Sequence, residues 1–157
     1  MGTPIIKYSE IRNILCGENV KIVGPVNLYE CKIGDNSFIG PFVEIQKGVE
    51  VGSSCKIQSH SFICEFVTIG NNCFIGHGVM FINDLMKQGP ANGDKSKWKK
   101  TIIGDNVSIG SNATILPVEI CDGATIGAGA VVTKNIIEPG AYAGNPAKKL
   151  SNLKTFK

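Results

Sequence analysis

A six-residue period runs through this chain and limits what it can fold into. Counting from Ile33 in steps of six reaches Ile39, Ile45, Val51, Ile57, Ile63, Ile69, Ile75 and Phe81, nine apolar positions of which eight are Ile or Val. Four residues after these positions come Ser37, Val43, Val49, Cys55, Ser61, Val67, Cys73 and Val79, all small or β-branched, and Gly follows directly at 34, 40, 52, 70 and 76. Val20 and Val26 extend the rhythm upstream. It stops after Phe81, resumes at Ile103, Ile109 and Ile115, slips by one residue, and continues at Ile120, Ile126 and Val132. An α-helix scatters such a period around its surface, and plain strand alternation reserves no large and small inward pair every six residues. A solenoid does. Each hexapeptide is a short strand plus a corner, and three of them make a triangular coil of about eighteen residues. The aliphatic residue fills the interior, the small residue sits near the corner, and Gly is expected to permit the turn. Composition agrees: 21 Ile and 12 Val stand against 6 Leu and 8 Ala, and β-branched residues suit strands rather than helix bundles.

The 157 residues are expected to form one domain, 1–157, with a loop at 84–100 and a C-terminal tail at 134–157. Asn145-Pro146 reads as the N-cap and first turn of a short helix over 146–154. A net charge of +3 with no basic helix argues against nucleic acid as a partner. No stretch approaches the ~20 apolar residues of a membrane span, and the opening MGTPIIKYSE lacks the apolar segment of a secretory signal, so a cytoplasmic location is expected. The six cysteines (16, 31, 55, 64, 73 and 121) show no C-x-x-C pair and no His at a ligand interval. They are expected as free thiols, with no metal site.

Residues eighteen apart should stack on one edge of the solenoid, about 4.8 Å from coil to coil. Glu65 and Asn83 have that spacing. His60 then stacks on Gly78, diagonal to His77 on a neighbouring edge, and these are the only two histidines. The segment GHGVMFINDL (76–85) runs into the one long interruption, where Lys87, Lys95, Lys97, Lys99 and Lys100 against Asp84 and Asp94 leave a local charge of +3 beside the only tryptophan, Trp98. Long irregular loops in compact folds are more often functional than decorative. A basic loop with one flat aromatic suits an anionic, base-bearing substrate, although a solvated loop whose Trp packs on the prism is equally compatible.

The hexapeptide repeats, IGAGAVVTK (126–134) and AGNPAKK (143–149) resemble the hexapeptide-repeat acyltransferases. That resemblance implies an all-β solenoid, a left-handed parallel β-helix with one long excursion loop, assembled as a homotrimer with sites between subunits. SHSFICEFVTI (59–69), GHGVMFINDL and SNATILPVEI (111–120) further resemble the subgroup of N-acetyltransferases acting on dTDP- or UDP-linked 3-amino sugars for surface polysaccharides. The implied donor is acetyl-CoA. The resemblance places Asn83 and Asp84 beside the reacting amine and His60 and Glu65 within reach of the sugar, with His77, Phe81 and Trp98 lining the substrate. It puts CoA along Ser111, Gly127, Ala128, Ala130 and Asn145, its phosphates near Lys134, Lys148 and Lys149.

Acyl transfer needs an uncharged amine, a polarised thioester carbonyl and a proton sink. His60 or His77 is suited to accept the proton, because imidazole titrates near neutrality. The departing CoA sulfur is the alternative sink. O-acetylation of a sugar or serine and a non-catalytic scaffold are the competing readings. A zinc hydratase on this fold needs three imidazoles, and two histidines do not supply them.

Overall fold

The computed structural model describes residues 11–87, 89–90 and 94–151. The N-terminal decapeptide, residues 88 and 91–93 of the loop, and residues 152–157, which include the last three of the expected helix, lie outside the described residues. The chain winds as a β-solenoid, and up to Val131–Val132 successive short strands join three parallel sheets in strict rotation. The first face contains Asn27–Tyr29, Glu44–Ile45, Phe62–Ile63, Met80–Phe81, Thr114–Ile115 and Val131–Val132. The second includes Glu50–Val51, Val67–Ile69 and Thr101–Ile103, and the third Lys56–Ile57, Phe74–Ile75 and Ser108–Ile109.

Register follows the sequence count. Lys56 pairs with Phe74, eighteen residues on, whereas Lys21 pairs with Phe38 and Thr114 with Val131, seventeen on, where the rhythm slips. Met80 pairs with Thr114, so the loop is inserted within one coil and the next coil resumes in register. Every member of the aliphatic series from Ile33 to Phe81 is buried, as are its small companions.

The glycines differ from expectation. Gly34, Gly52 and Gly70 are absent from the positive-φ residues; left-handed corners are taken instead by Asn36, Asn72, Asn106 and Asn112, by His60 (φ 64°), and even by Phe42 and Phe66. Asn tolerates this region because its short side chain bonds locally. Glycine is required for close stacking: a Cβ on Gly52 would lie 2.6 Å from Gly70 O, and one on Gly110 2.4 Å from Ala128 N.

Polar atoms reinforce the stack. Asp35, Asn71, Asp105 and Asp122 each accept through Oδ1 from a backbone N–H of the preceding coil, at 2.6–2.9 Å. Inside the same corner, Ser37 Oγ, Cys55 Sγ and Cys73 Sγ donate to the carbonyls of Gly52, Gly70 and Gly104 at 3.0–3.1 Å. All six cysteines are free. Burial pushes the Cys31 and Cys64 thiols up to about 11 and 12, so they behave as small apolar residues.

No helix forms over 146–151. Ala141–Ala143 joins the third face, the chain reverses through Gly144 (φ 93°), and Lys148–Lys149 pairs back antiparallel on it. The backbone N–H groups that a helix would use internally are spent on the solenoid: Ala147 N donates to Val131 O and Leu150 N to Ala141 O. Among the described residues, no helix is long and apolar enough to cross a membrane.

Candidate active site

The chain passes from third to first face at one edge, and from first to second at another. The first of these, the histidine edge, holds residues 59–60, 77–78, 111–112 and 128–129, stacked coil on coil by Gly78 N to Ser59 O, Asn112 N to His77 O and Gly129 N to Ser111 O. His60 and His77 therefore share one edge, not neighbouring ones. The exposed His60 ring stacks on Phe42, with centroids 4.8 Å apart. His77 Nδ1 lies 2.8 Å from Ser59 Oγ, and its backbone N–H donates to Ser111 Oγ at 3.2 Å. Further along, Ala128 and Gly129 are exposed, and Gly127 packs under Ala143. Asn145 lies in the exposed turn that follows.

The loop edge carries the other group. Asn83 sits one coil above Glu65, with Nδ2 donating to Glu65 O at 3.2 Å, as the eighteen-residue spacing requires. Glu65 in turn takes Gln46 Oε1 on its backbone N–H at 3.3 Å, and Gln46 Nε2 donates to Glu44 at 2.8 Å. Asp84 Oδ1 accepts from Met86 N at 2.8 Å, starting the loop with an Asx turn. The loop then folds back through a 3-10 turn, Lys95–Lys97, capped by Asp94, whose Oδ1 accepts from Ser96 N and Oγ. Between the two limbs lies a cavity of about 380 Å³ lined by Asp84, Met86, Lys87, Ser96, Lys97 and Lys99 among others. Three lysines and one aspartate line it, so its lining carries a net positive charge, and Lys97 Nζ also stands 3.4 Å from Asp94 Oδ2.

Trp98 packs on the prism. Its ring meets Phe66 edge-on at 6.2 Å and 88°, Lys95 Nζ stands 5.3 Å from its centroid, and its buried indole N–H has no partner among the described residues. Lys95 Nζ also contacts both Glu65 carboxylate oxygens, at 2.5 and 2.7 Å.

Four expected site residues are placed elsewhere. Phe81 and Ala130 are fully buried in the core, where the large and small inward positions put them, and their side chains meet no solvent. Lys148 lies in the terminal strand on the third face. Lys134 belongs to the loop edge rather than the histidine edge, because Val132 pairs with Ile115 on the first face, as Phe81 does one coil earlier. Among the described residues, no group of three or more His, Cys, Asp or Glu side chains is arranged to hold a metal ion.

Comparison with known proteins accounts for this architecture. The model of the bacterial transferase hexapeptide (six repeats) matches residues 30–65, and that of the hexapeptide repeat of succinyl-transferase matches residues 66–80 and 100–134. The chain belongs to the hexapeptide-repeat transferases. The matches flank the loop and leave it out. Bifunctional protein GlmU of Acinetobacter baylyi is 34% identical over 141 residues, covering 87% of this chain and 28% of that protein. The chain thus spans less than a third of this curated relative's length. Among solved structures, a single-substitution variant of AntD, an N-acyltransferase from Bacillus cereus in complex with dTDP and coenzyme A, superposes with a TM-score of 0.77 at 25% identity, covering 88% of this chain and 82% of that one. Another AntD variant, bound to dTDP-4-amino-4,6-dideoxyglucose and coenzyme A, shares the fold at a TM-score of 0.76 and 24% identity, again covering 88% and 82%.

In this hexapeptide-repeat transferase, counting by eighteen finds Gly78 above His60 and Asn83 above Glu65. It does not find Lys95, which the aperiodic loop delivers to the same place, nor the Gln46 side chain that reaches up to Glu65.

Proposed function

We propose that this chain is an acyl-CoA-dependent N-acetyltransferase acting on the amino group of a nucleotide-linked (dTDP or UDP) amino sugar destined for a surface glycan, working as a cytoplasmic homotrimer. The observation that carries the reading is the division of polar groups between two edges of one face. The loop edge presents a cationic cavity beside Asn83 and Asp84, and the histidine edge presents small residues and two imidazoles. A trimer that sets the loop edge of one subunit against the histidine edge of the next completes the site, as closed symmetry allows.

The cationic cavity suits the diphosphate of a sugar nucleotide, with Lys87, Lys97 and Lys99 as counter-charges. Asn83 and Asp84, at its mouth, hold the amine. Their work is orientation, since bringing an amine lone pair to a carbonyl carbon at the correct angle is worth several powers of ten. The donor fits the histidine edge, where a Cβ built on the exposed Gly129 would meet nothing within 4 Å and Ser111 and Ala128 are small. When bound there, acetyl-CoA supplies an activated thioester. Lys134 adds a positive charge to the loop edge. His60, exposed and stacked on Phe42, and His77, hydrogen-bonded to Ser59, are the two imidazoles on hand to receive the amine proton.

Incubation with acetyl-CoA and dTDP- or UDP-linked 3-amino, 4-amino and hydroxyl sugars, with thiol release as readout, tests this. Release with an amino sugar and none with its hydroxyl counterpart is expected. Release with hydroxyl sugars alone overturns the N-acyl assignment, and release with none overturns the enzyme reading. AntD's ligand favours including the 4-amino sugar beside the 3-amino one. If His60→Ala and His77→Ala each keep full turnover, the proton goes to the CoA sulfur instead.

A further inference from the structure

The Glu65 carboxylate is a nearly buried anion on the loop edge, its side chain only 15% exposed, while Lys95 remains 52% exposed. The Lys95 ammonium stands against both carboxylate oxygens and 5.3 Å from the Trp98 ring centroid. A carboxylate and an indole around one –NH₃⁺ make an ammonium site, combining charge-assisted hydrogen bonds with cation–π attraction. Its occupant comes from the chain itself, from the excursion loop that interrupts the solenoid. Lys95 opens a single 3-10 turn whose residues are none of them buried.

We propose that Lys95 is an internal surrogate for the substrate amine. In the unliganded chain it fills the Glu65–Trp98 ammonium site, and the protonated amino group of an arriving amino sugar displaces it. The inference rests on the amino-sugar reading above. Displacement exchanges one ammonium for another, so Glu65 stays paired before and after, and the cost of a bare, nearly buried carboxylate is avoided throughout. A neutral hydroxyl or an N-acetylated sugar brings no cation and leaves Lys95 in place. The site thus selects unacetylated amines at binding, before the amine loses its proton and passes to Asn83, which donates to Glu65 O, and Asp84 for transfer; the uncharged product amide does not rebind it. Displacement also frees the loop segment carrying Ser96 and Lys97, two of the residues that line the cationic cavity.

Trp98 is the only tryptophan, so its emission reports this site directly. The test titrates the full-length protein with D-glucosamine and, in parallel, with N-acetylglucosamine at matched ionic strength. D-glucosamine is expected to change Trp98 emission saturably, and N-acetylglucosamine is not. Removing the internal competitor raises the competent fraction, so Lys95→Met should bind glucosamine about three- to tenfold more tightly. Glu65→Gln should abolish the response, with an unchanged melting temperature showing that the fold is intact. Lys100→Met, which removes the same charge from the end of the same loop, should leave the affinity unaltered. Equal responses to the two sugars, or a Lys95→Met affinity equal to or weaker than that of the wild-type chain, overturn the proposal. A chain that binds glucosamine in this manner yet releases no thiol from acetyl-CoA keeps the ammonium site and refutes the acyltransferase reading. One that releases thiol while Lys95→Met binds no tighter does the reverse.

Discussion

Asp84→Asn is expected to lower kcat for acetyl transfer by about 10²-fold while changing KM by much less. The substitution keeps the Oδ1 acceptor that receives Met86 N at 2.8 Å, so the loop still begins with its Asx turn. What it removes is the negative charge that the proposed site sets beside the reacting amine, in a cavity also lined by Lys87, Lys97 and Lys99. Orientation and charge stabilisation act chiefly in the transition state, and their loss appears in kcat. Initial rates over a range of amino-sugar nucleotide concentrations separate the two parameters. A kcat within twofold of wild type would mean that Asp84 shapes the loop and does nothing else.

Phe81→Ala is expected to be the most destabilising single substitution on the first face, at about 3–5 kcal/mol. Phe81 is fully buried and occupies the inward slot that Leu, Ile or Val fills in the other coils, directly beneath Ile115. Truncation leaves a cavity between coils that short, hydrogen-bonded strands cannot collapse to fill. For a chain of this size the melting temperature should fall by on the order of 10 °C. Phe81→Leu should recover most of that loss and leave KM for the sugar nucleotide unchanged, which separates a core residue from a substrate contact. A large rise in KM with little loss of stability would return Phe81 to the substrate site.

The sequence disclosed the fold through its period, and it did so because a solenoid repeats one local environment many times. Each coil meets the same inward pair of positions, so the Ile33–Phe81 series and its small companions declare themselves by counting. Asn83 over Glu65 and Gly78 over His60 came from the same arithmetic, whereas the Ser59–His77 contact emerged only from the structure. The purpose of the glycines was not legible in that way. A Gly before a corner suggests a turn, whereas Gly52 and Gly110 are needed because the next coil's backbone lies where their Cβ would be. The C-terminal helix failed for a related reason: Ala147 directs its N–H to Val131 O of the preceding coil and Leu150 its N–H to Ala141 O across the terminal hairpin, demands that local capping residues do not reveal. Phe81 and Ala130 were assigned to the site because they adjoin informative motifs, although their place in the period already marked them as core. Lys95 is the clearest omission. The loop has no period, so nothing in its sequence distinguishes the lysine that reaches Glu65 from the four others.

In the proposed enzyme the loop edge and the histidine edge are two halves of one site, contributed by different copies of the chain. Mixed assemblies of Asp84→Asn, which disables the loop edge, and Ala128→Trp, which fills the proposed donor edge, test it most directly. Each variant alone should be nearly inactive. Trimers co-expressed with two different tags and purified through both contain one site whose two halves are intact, so they should recover about a third of wild-type turnover. Mixed assemblies no more active than the two parents together would show that each site lies within a single chain, and would contradict the account.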